Sequence, residues 1–161
     1  MVEEIIEILT NNKEQISTME SVTGGLLAAT ITNYSGASSI LERAYVTYSN
    51  EAKIALGVKK ETIEKYTVYS IEVAKEMSYY TSKNAKSTYG VGITGQLGRL
   101  DPNNKGGNLN KIDISIYSNV TNKYYTYQIF GKEELSRKEN KELVVEKILE
   151  ELLKVLEEEH N

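Results

Sequence analysis

The 161-residue chain contains no cysteine. Disulfides, thiolate-bound metal and thiol nucleophiles are therefore excluded together. Its one histidine, His160, stands next to the last residue in a glutamate-rich tail that is expected to fray. Chemistry that needs an imidazole base or ligand has no obvious residue to use. No apolar run approaches the roughly 20 residues that span a bilayer. No signal-peptide pattern is present, so the expectation is a cytoplasmic protein without a membrane partner. Lys and Arg total 19 against 23 Asp and Glu, a net charge of -4. No stretch concentrates the cations as a phosphate-backbone binder does, so nucleic acid is not an expected partner.

What is present is enough chain for one core, and one domain over 1–161 is expected. Val2, Ile5, Ile6 and Leu9 recur at helical spacing among Glu3, Glu4 and Glu7, which predicts a helix over 2–11. Residues 14–20 predict a strand. Leu26, Leu27 and Ile31 predict a helix ended by Asn33 and Gly36. The alternation of 42–49 predicts a second strand, after which Asn50 caps a short helix that stops at Gly57. Ser70 is read as the cap of a helix over 70–82 that buries Ile71, Val73, Ala74 and Met77.

The uncharged run 87–94 predicts a strand covered on both faces. A Gly- and Asn-rich loop follows from Gly95 to Asn110, holding the only proline, Pro102. Loops of that length in compact domains are usually functional or disordered. It is read here as a pocket wall, with Arg99 and Lys105 supplying charge. Runs 111–119 and 123–130 predict a hairpin. Leu143, Ile148, Leu152, Val155 and Leu156 mark a closing helix over 138–158. Interleaved helices and strands with an antiparallel pair near the end predict the α/β class: a single three-layer α/β/α domain with a mixed, mostly parallel sheet.

Ser21, at a predicted strand end before Gly24 and Gly25, has the setting of an exposed nucleophile, with backbone N–H groups aimed at an oxyanion. The plainer alternative is that Thr23 caps the next helix and the glycines let it pack closely on the sheet. Without histidine or cysteine, acyl chemistry leaves Ser, Thr or water as nucleophile and Lys, a carboxylate or Tyr as base. Lys53 falls in the first turn of the helix at Asn50, where a cation opposes the helix dipole and its amine is driven toward the neutral form. The alternative is a solvated surface lysine. A Ser21 and Lys53 pair, with the hydroxyl facing the amine in one cleft, is the most economical catalytic arrangement these residues offer.

Thr94 ends the uncharged strand where open α/β sheets bind ligands. Tyr48 also lies near a strand end, although tyrosines there are commonly amphipathic core residues. If the three strands are parallel neighbours, Ser21, Tyr48 and Thr94 share one edge. Arg137 has the fork to grip a phosphate or carboxylate. Twelve tyrosines against one phenylalanine suggest half-exposed aromatic surfaces and a homo-oligomer. No metal and no cofactor is expected.

Four segments then resemble one known family, the C-terminal domain of CinA-type competence/damage-inducible proteins, which includes stand-alone nicotinamide-nucleotide amidases. They are ESVTGG (20–25), GASSILERAYVTYSNEAKIALGV (36–58), YSIEVAKEM (69–77) and GITG (92–95). The resemblance implies a mixed-sheet α/β/α fold and cleavage of the carboxamide of nicotinamide mononucleotide to the nicotinic acid nucleotide and ammonia. It implies Ser21 as nucleophile, Lys53 as its base, and Tyr48 and Thr94 as supporting groups. The implied substrate contacts are Thr23, Gly24, Gly25, Ser38, Ser39, Gly95 and Arg137.

The departures are confined mainly to the second half. Val22 replaces the family's cysteine. GQLGRLDPNNKGGNLNKIDISIY replaces its Gly-Pro-x-Gly-Gly loop and Lys-Pro-Val-Gly-Thr-Val strand opening. FGKEELSR replaces its Gly-Asp-Arg, leaving Arg137 as the equivalent. Retention of Ser21 with Lys53 favours an amidohydrolase. The rewritten loop favours the alternative, a non-catalytic module that binds a nucleotide or a protein.

Overall fold

The computed structural model describes residues 1–98 and 110–161. In chain order the elements are α1 (Val2–Asn11), β1 (Ile16–Glu20), α2 (Leu26–Thr32), β2 (Leu41–Val46), α3 (Asn50–Ala55), α4 (Lys60–Tyr66), α5 (Ile71–Ala85), β3 (Tyr89–Gly95), β4 (Lys111–Ser118), β5 (Lys123–Phe130) and α6 (Arg137–Glu159). They form one five-stranded sheet in the order β2-β1-β3-β4-β5. β1 pairs parallel with both β2 and β3, while β4 runs antiparallel to β3 and β5. The sheet is thus mixed, with β4 alone reversed.

Side chains of a strand alternate between faces, and here the alternation is sharp. Ile16, Tyr89, Val91, Ile93, Ile112, Ile114 and Ile116 belong to one aliphatic cluster with α1, α2 and α6. The opposite face carries Ser17, Met19, Gly90, Gly92 and Ser115, and α5 lies directly on it. A Cβ on Gly90 would stand 2.1 Å from the Ser78 carbonyl oxygen, and one on Gly92 2.4 Å from that of Ala74. Hydroxyls fill what remains. Ser17 and Ser87 are 2.7 Å apart, Thr81 donates to Ser17 at 3.1 Å, and Ser78 donates to Ser115 at 2.9 Å. Buried hydroxyls survive there because each finds a partner.

Several sequence expectations shift. Ser49, not Asn50, caps α3, its side chain accepting from the Ala52 N–H at 3.1 Å. α4 was not anticipated; it has no side-chain cap and buries no residue fully, so its pattern is faint. Ile71 is half-buried rather than core. The C-terminal tail is not frayed: α6 runs to Glu159, and His160 Nε2 lies 2.7 Å from Glu14 Oε1. That contact holds the histidine beside the amino end of β1, a strand length away from Ser21. The loop expected as a pocket wall falls at 99–109 outside the described residues. Its base is pinched, the Gly98 N–H donating to Asn110 Oδ1 at 3.1 Å. Among the described residues no helix is long and apolar enough to cross a membrane.

Candidate active site

β1 is flanked by parallel neighbours, so the carboxyl ends of β2, β1 and β3 open onto one edge, where doubly wound sheets place ligands. Ser21 follows β1 directly and its N–H still pairs with the Ile93 carbonyl at 3.0 Å. Because alternate residues share a face, Ser21 lies on the side of Ser17 and Met19, against α3 and α5. Lys53 rises from α3 to meet it. Lys53 Nζ donates to Ser21 Oγ at 3.0 Å and to the Thr47 carbonyl at 2.8 Å, and Lys53 is only 2 % exposed. A buried amine in contact with a hydroxyl at the end of a central strand is the arrangement expected of a nucleophile and its base.

The electrostatic reason for Lys53 differs from the one expected. In the six-residue α3 it is the fourth residue and lies in the last turn, so the helix dipole does not oppose its charge there. Its burial is a second influence on the amine. Desolvation disfavours an ammonium.

The turn 21–25 is shaped by Gly24 and Gly25, with φ of 61° and 99°. These left-handed angles suit glycine and let the chain reverse from β1 into α2. Thr23 does not cap α2. Its hydroxyl donates to Glu20 Oε1 at 2.6 Å, and the fully buried Glu20 carboxylate itself accepts from the N–H groups of Leu27 and Ala28, each at 3.0 Å. The expected oxyanion donor at Gly24 is also taken, since its N–H donates to the Ser21 carbonyl at 2.9 Å. Among the described residues, the N–H groups of Val22, Thr23 and Gly25 meet no protein acceptor. They are the donors this turn leaves for a ligand.

Thr94 stands beside Ser21 on the same face, fully buried, its hydroxyl donating to the Val68 carbonyl at 2.9 Å. That bond fixes the segment leading into α5; it positions the wall, and the hydroxyl does not point free into the site. Gly95 is packed against the backbone of β4, where a Cβ would stand 2.5 Å from the Lys111 carbonyl oxygen. Tyr48 is 61 % exposed, which rules out a core role, and its hydroxyl accepts from Arg137 Nη2 at 3.0 Å. Arg137 also donates to the Leu97 carbonyl through Nη1. The guanidinium thereby ties the β2–α3 loop to the end of β3 across the top of the sheet.

Ser38 and Ser39 are not brought to this edge. They sit exposed in the turn before β2, and Ser39 Oγ donates to the Gly36 carbonyl at 2.7 Å. Ile40 then hands its carbonyl to the Ile16 N–H at the amino end of β1, roughly 17 Å of strand from Ser21. The structure does not bring them together with Ser21 and Lys53 in this chain. Two groups went unnoticed in the sequence. One is Glu20, whose role depends on the chain folding back seven residues later. The other is Lys141, one turn beyond Arg137 on α6, whose Nζ lies 3.4 Å from where a Cβ on Gly24 would stand.

Asp113 extends the row across the sheet, paired in register with Thr94 and Gln128. It is fully buried, accepts from Gln128 Nε2 at 3.2 Å and lies 3.5 Å from Lys111 Nζ. Burial outweighs these partners and pushes its carboxyl above the ordinary carboxylate range. Among the described residues no group of three or more His, Asp or Glu side chains gathers as a metal site would.

The comparisons with known proteins agree with this architecture. A competence-damage inducible protein of Clostridium perfringens (strain SM101 / Type A) is 47 % identical over 98 residues, 60 % of this chain and 24 % of that protein. One of Clostridium botulinum (strain ATCC 19397 / Type A) is 48 % identical over 97 residues, again 60 % and 24 %. The match thus spans about a quarter of the length of these relatives. The crystal structure of competence/damage inducible protein CihA from Agrobacterium tumefaciens superposes with a TM-score of 0.88 at 26 % identity, covering 97 % of this chain and 93 % of that one. A competence or damage-inducible protein from Enterobacter asburiae gives 0.88 at 24 % identity, over 96 % and 95 %, a likeness of fold. The sequence model described as the CinA C-terminal domain matches residues 1–156, and the chain belongs to that family.

Proposed function

We propose that the protein is an amidohydrolase that releases ammonia from the carboxamide of nicotinamide mononucleotide or a closely related pyridine nucleotide. What carries the reading is the 3.0 Å contact between Lys53 Nζ and Ser21 Oγ, both groups buried at the carboxyl edge of the parallel strands. Burial favours the neutral amine, and a neutral Lys53 takes the Ser21 proton as Oγ attacks the carboxamide carbon. The tetrahedral oxyanion then faces the N–H groups of Val22, Thr23 and Gly25, donors fixed before the reaction starts. Lys53 returns the proton to the departing nitrogen, ammonia leaves, and an ester on Ser21 remains. Water, deprotonated by the same amine, cleaves that ester and restores the hydroxyl. Thr94 acts indirectly in this scheme by holding Val68, and Tyr48 with Arg137 roofs the edge.

The experiment is ammonia release by the purified protein from nicotinamide mononucleotide, with nicotinamide riboside and free nicotinamide in parallel. Release from the mononucleotide, lost in Ser21→Ala, supports the reading. Saturable binding of the mononucleotide with no ammonia formed replaces it with the non-catalytic binding module.

A further inference from the structure

An open sheet has two edge strands, and in this protein they differ sharply. At one edge the register of β2 against β1 slips between the pairs Ile16–Leu41 and Thr18–Ala44, and the slipped segment carries Glu42 and Arg43. A charged irregularity of that kind blunts an edge against further pairing. At the other edge β5 pairs with β4 over eight consecutive residues without a slip. From Tyr124 to Phe130 it contains no charge and no proline. Among the described residues no strand pairs with its outer side, so a row of backbone N–H and C=O groups there has no ladder partner.

The side chains of β5 are open as well. Tyr124 is 38 % exposed and Phe130 56 %, while Tyr125 and Tyr127 are half-buried toward α6. Two grooves between β5 and α6 meet at Tyr127, and α6 runs back along the strand: Lys147 lies by Phe130, Glu151 and Lys154 by Tyr127, and Glu159 accepts from the Tyr125 hydroxyl at 2.7 Å. A two-fold axis through Tyr127, perpendicular to the sheet, pairs β5 with a second β5 antiparallel and keeps opposed residues on one face, as a continuous sheet requires. It sets Tyr124 against the partner's Phe130 and Thr126 against the partner's Gln128, with no charge opposite another. The axis passes α6 between Glu151 and Lys154. Antiparallel helices across it bring Lys154 toward the partner's Glu151 and Lys147 toward the partner's Glu158, each pair occurring twice by symmetry.

We propose that the β5 edge is the interface of a closed homodimer, in which two copies join their sheets through antiparallel β5 strands and the α6 helices flank the seam with reciprocal Lys154–Glu151 ion pairs. The occupant that fits is a second copy of this chain, because the edge is complementary to itself in its aromatic row and in its helix charges. Pairing removes the one unblunted edge from water. β3 and β4 stand between β5 and the strand that leads to Ser21. The candidate site is left open in such a dimer, which is therefore independent of the amidase reading.

The test is sedimentation equilibrium of the full chain across the micromolar range, where wild type is expected at twice the 18.1 kDa of one chain. Lys154→Glu sets like charges together at two symmetric places, and the dimer dissociation constant is expected to rise about tenfold or more. Adding Glu151→Lys restores opposite charges across the axis and should bring the constant back to within about threefold of wild type. Lys154 is 70 % exposed, so its replacement leaves the fold intact, which circular dichroism checks. Tyr127→Lys places two cations on the axis and should leave a monomer. Amide hydrogen exchange locates the contact: outward N–H groups within 124–130 should exchange more slowly in wild type than in Lys154→Glu at the same concentration. A wild-type monomer, a dimer that Lys154→Glu does not weaken, or an open series of larger assemblies overturns the proposal.

Discussion

On the α6 side of the sheet, Ile93, Ile112, Ile114 and Ile116 join Ile148, Leu152 and Val155 in a single aliphatic cluster. On the α5 side the same strands present Gly90, Gly92, Ser17 and Ser115 to a helix whose carbonyl oxygens leave no room for a methyl group. The first face is stabilised by area removed from water and tolerates modest changes in shape. The second relies on close approach and on hydroxyls that each need a partner. Ser21, Thr94 and Asp113 all belong to the second face. The polar groups of the candidate site continue a surface that is already small, hydrogen-bonded and rigidly spaced, so the geometry that orders α5 also orders the wall beside Ser21.

This contrast makes predictions of decreasing size. Gly90→Ala places a carbon 2.1 Å from the Ser78 carbonyl oxygen, and backbone must move. Denaturant unfolding should show a loss on the order of 4 kcal/mol. On the other face Ile114→Ala opens a cavity and should cost about 3 kcal/mol, and Ile114→Val about 1 kcal/mol. Adding one carbon to the α5 face is thus expected to exceed removing three from the α6 face. The reverse order breaks the comparison.

A smaller effect concerns Asp113. Its carboxyl titrates above the ordinary range because it is buried. A raised acid contributes most to stability while protonated in both states, and that contribution is lost as pH rises through the folded value. Asn mimics the protonated form. Asp113→Asn should therefore match wild type below the ordinary carboxylate range, near pH 3, and become progressively more stable than wild type as pH increases to 7. Thermal unfolding across that range checks the sign, and a variant less stable at pH 7 than wild type contradicts it.

Much of this was legible in the sequence, and what was not has definite causes. The strands and the long helices announced themselves through period-two and helical spacing, and the hairpin through its turn residues. Lack of histidine and cysteine narrowed the chemistry to a few residue types, and the resemblance singled out Ser21 with Lys53; their 3.0 Å contact spans 32 positions of sequence. α4 was missed because a seven-residue helix with no capping side chain has almost no pattern. The alternative of Thr23 as a helix cap gives way to Glu20, which meets the Thr23 hydroxyl and the N–H groups of Leu27 and Ala28 from a position that only the folded turn brings near. Ser38 and Ser39 were placed at the site because a motif carries no information about which end of the sheet it occupies. Lys141 had no signal at all beyond its spacing from Arg137.

The central claim is that Ser21 and Lys53 act as one unit, and a double-mutant cycle in kcat/KM for nicotinamide mononucleotide tests it most directly. Groups that serve a single step lose nearly everything when either is removed. Ser21→Ala and Lys53→Met are each expected to lower kcat/KM by about a thousandfold or more, and the double variant to fall no more than about threefold below the weaker single variant. Losses that multiply in the double variant, or a Ser21→Ala protein that keeps near-wild-type turnover, would contradict the account.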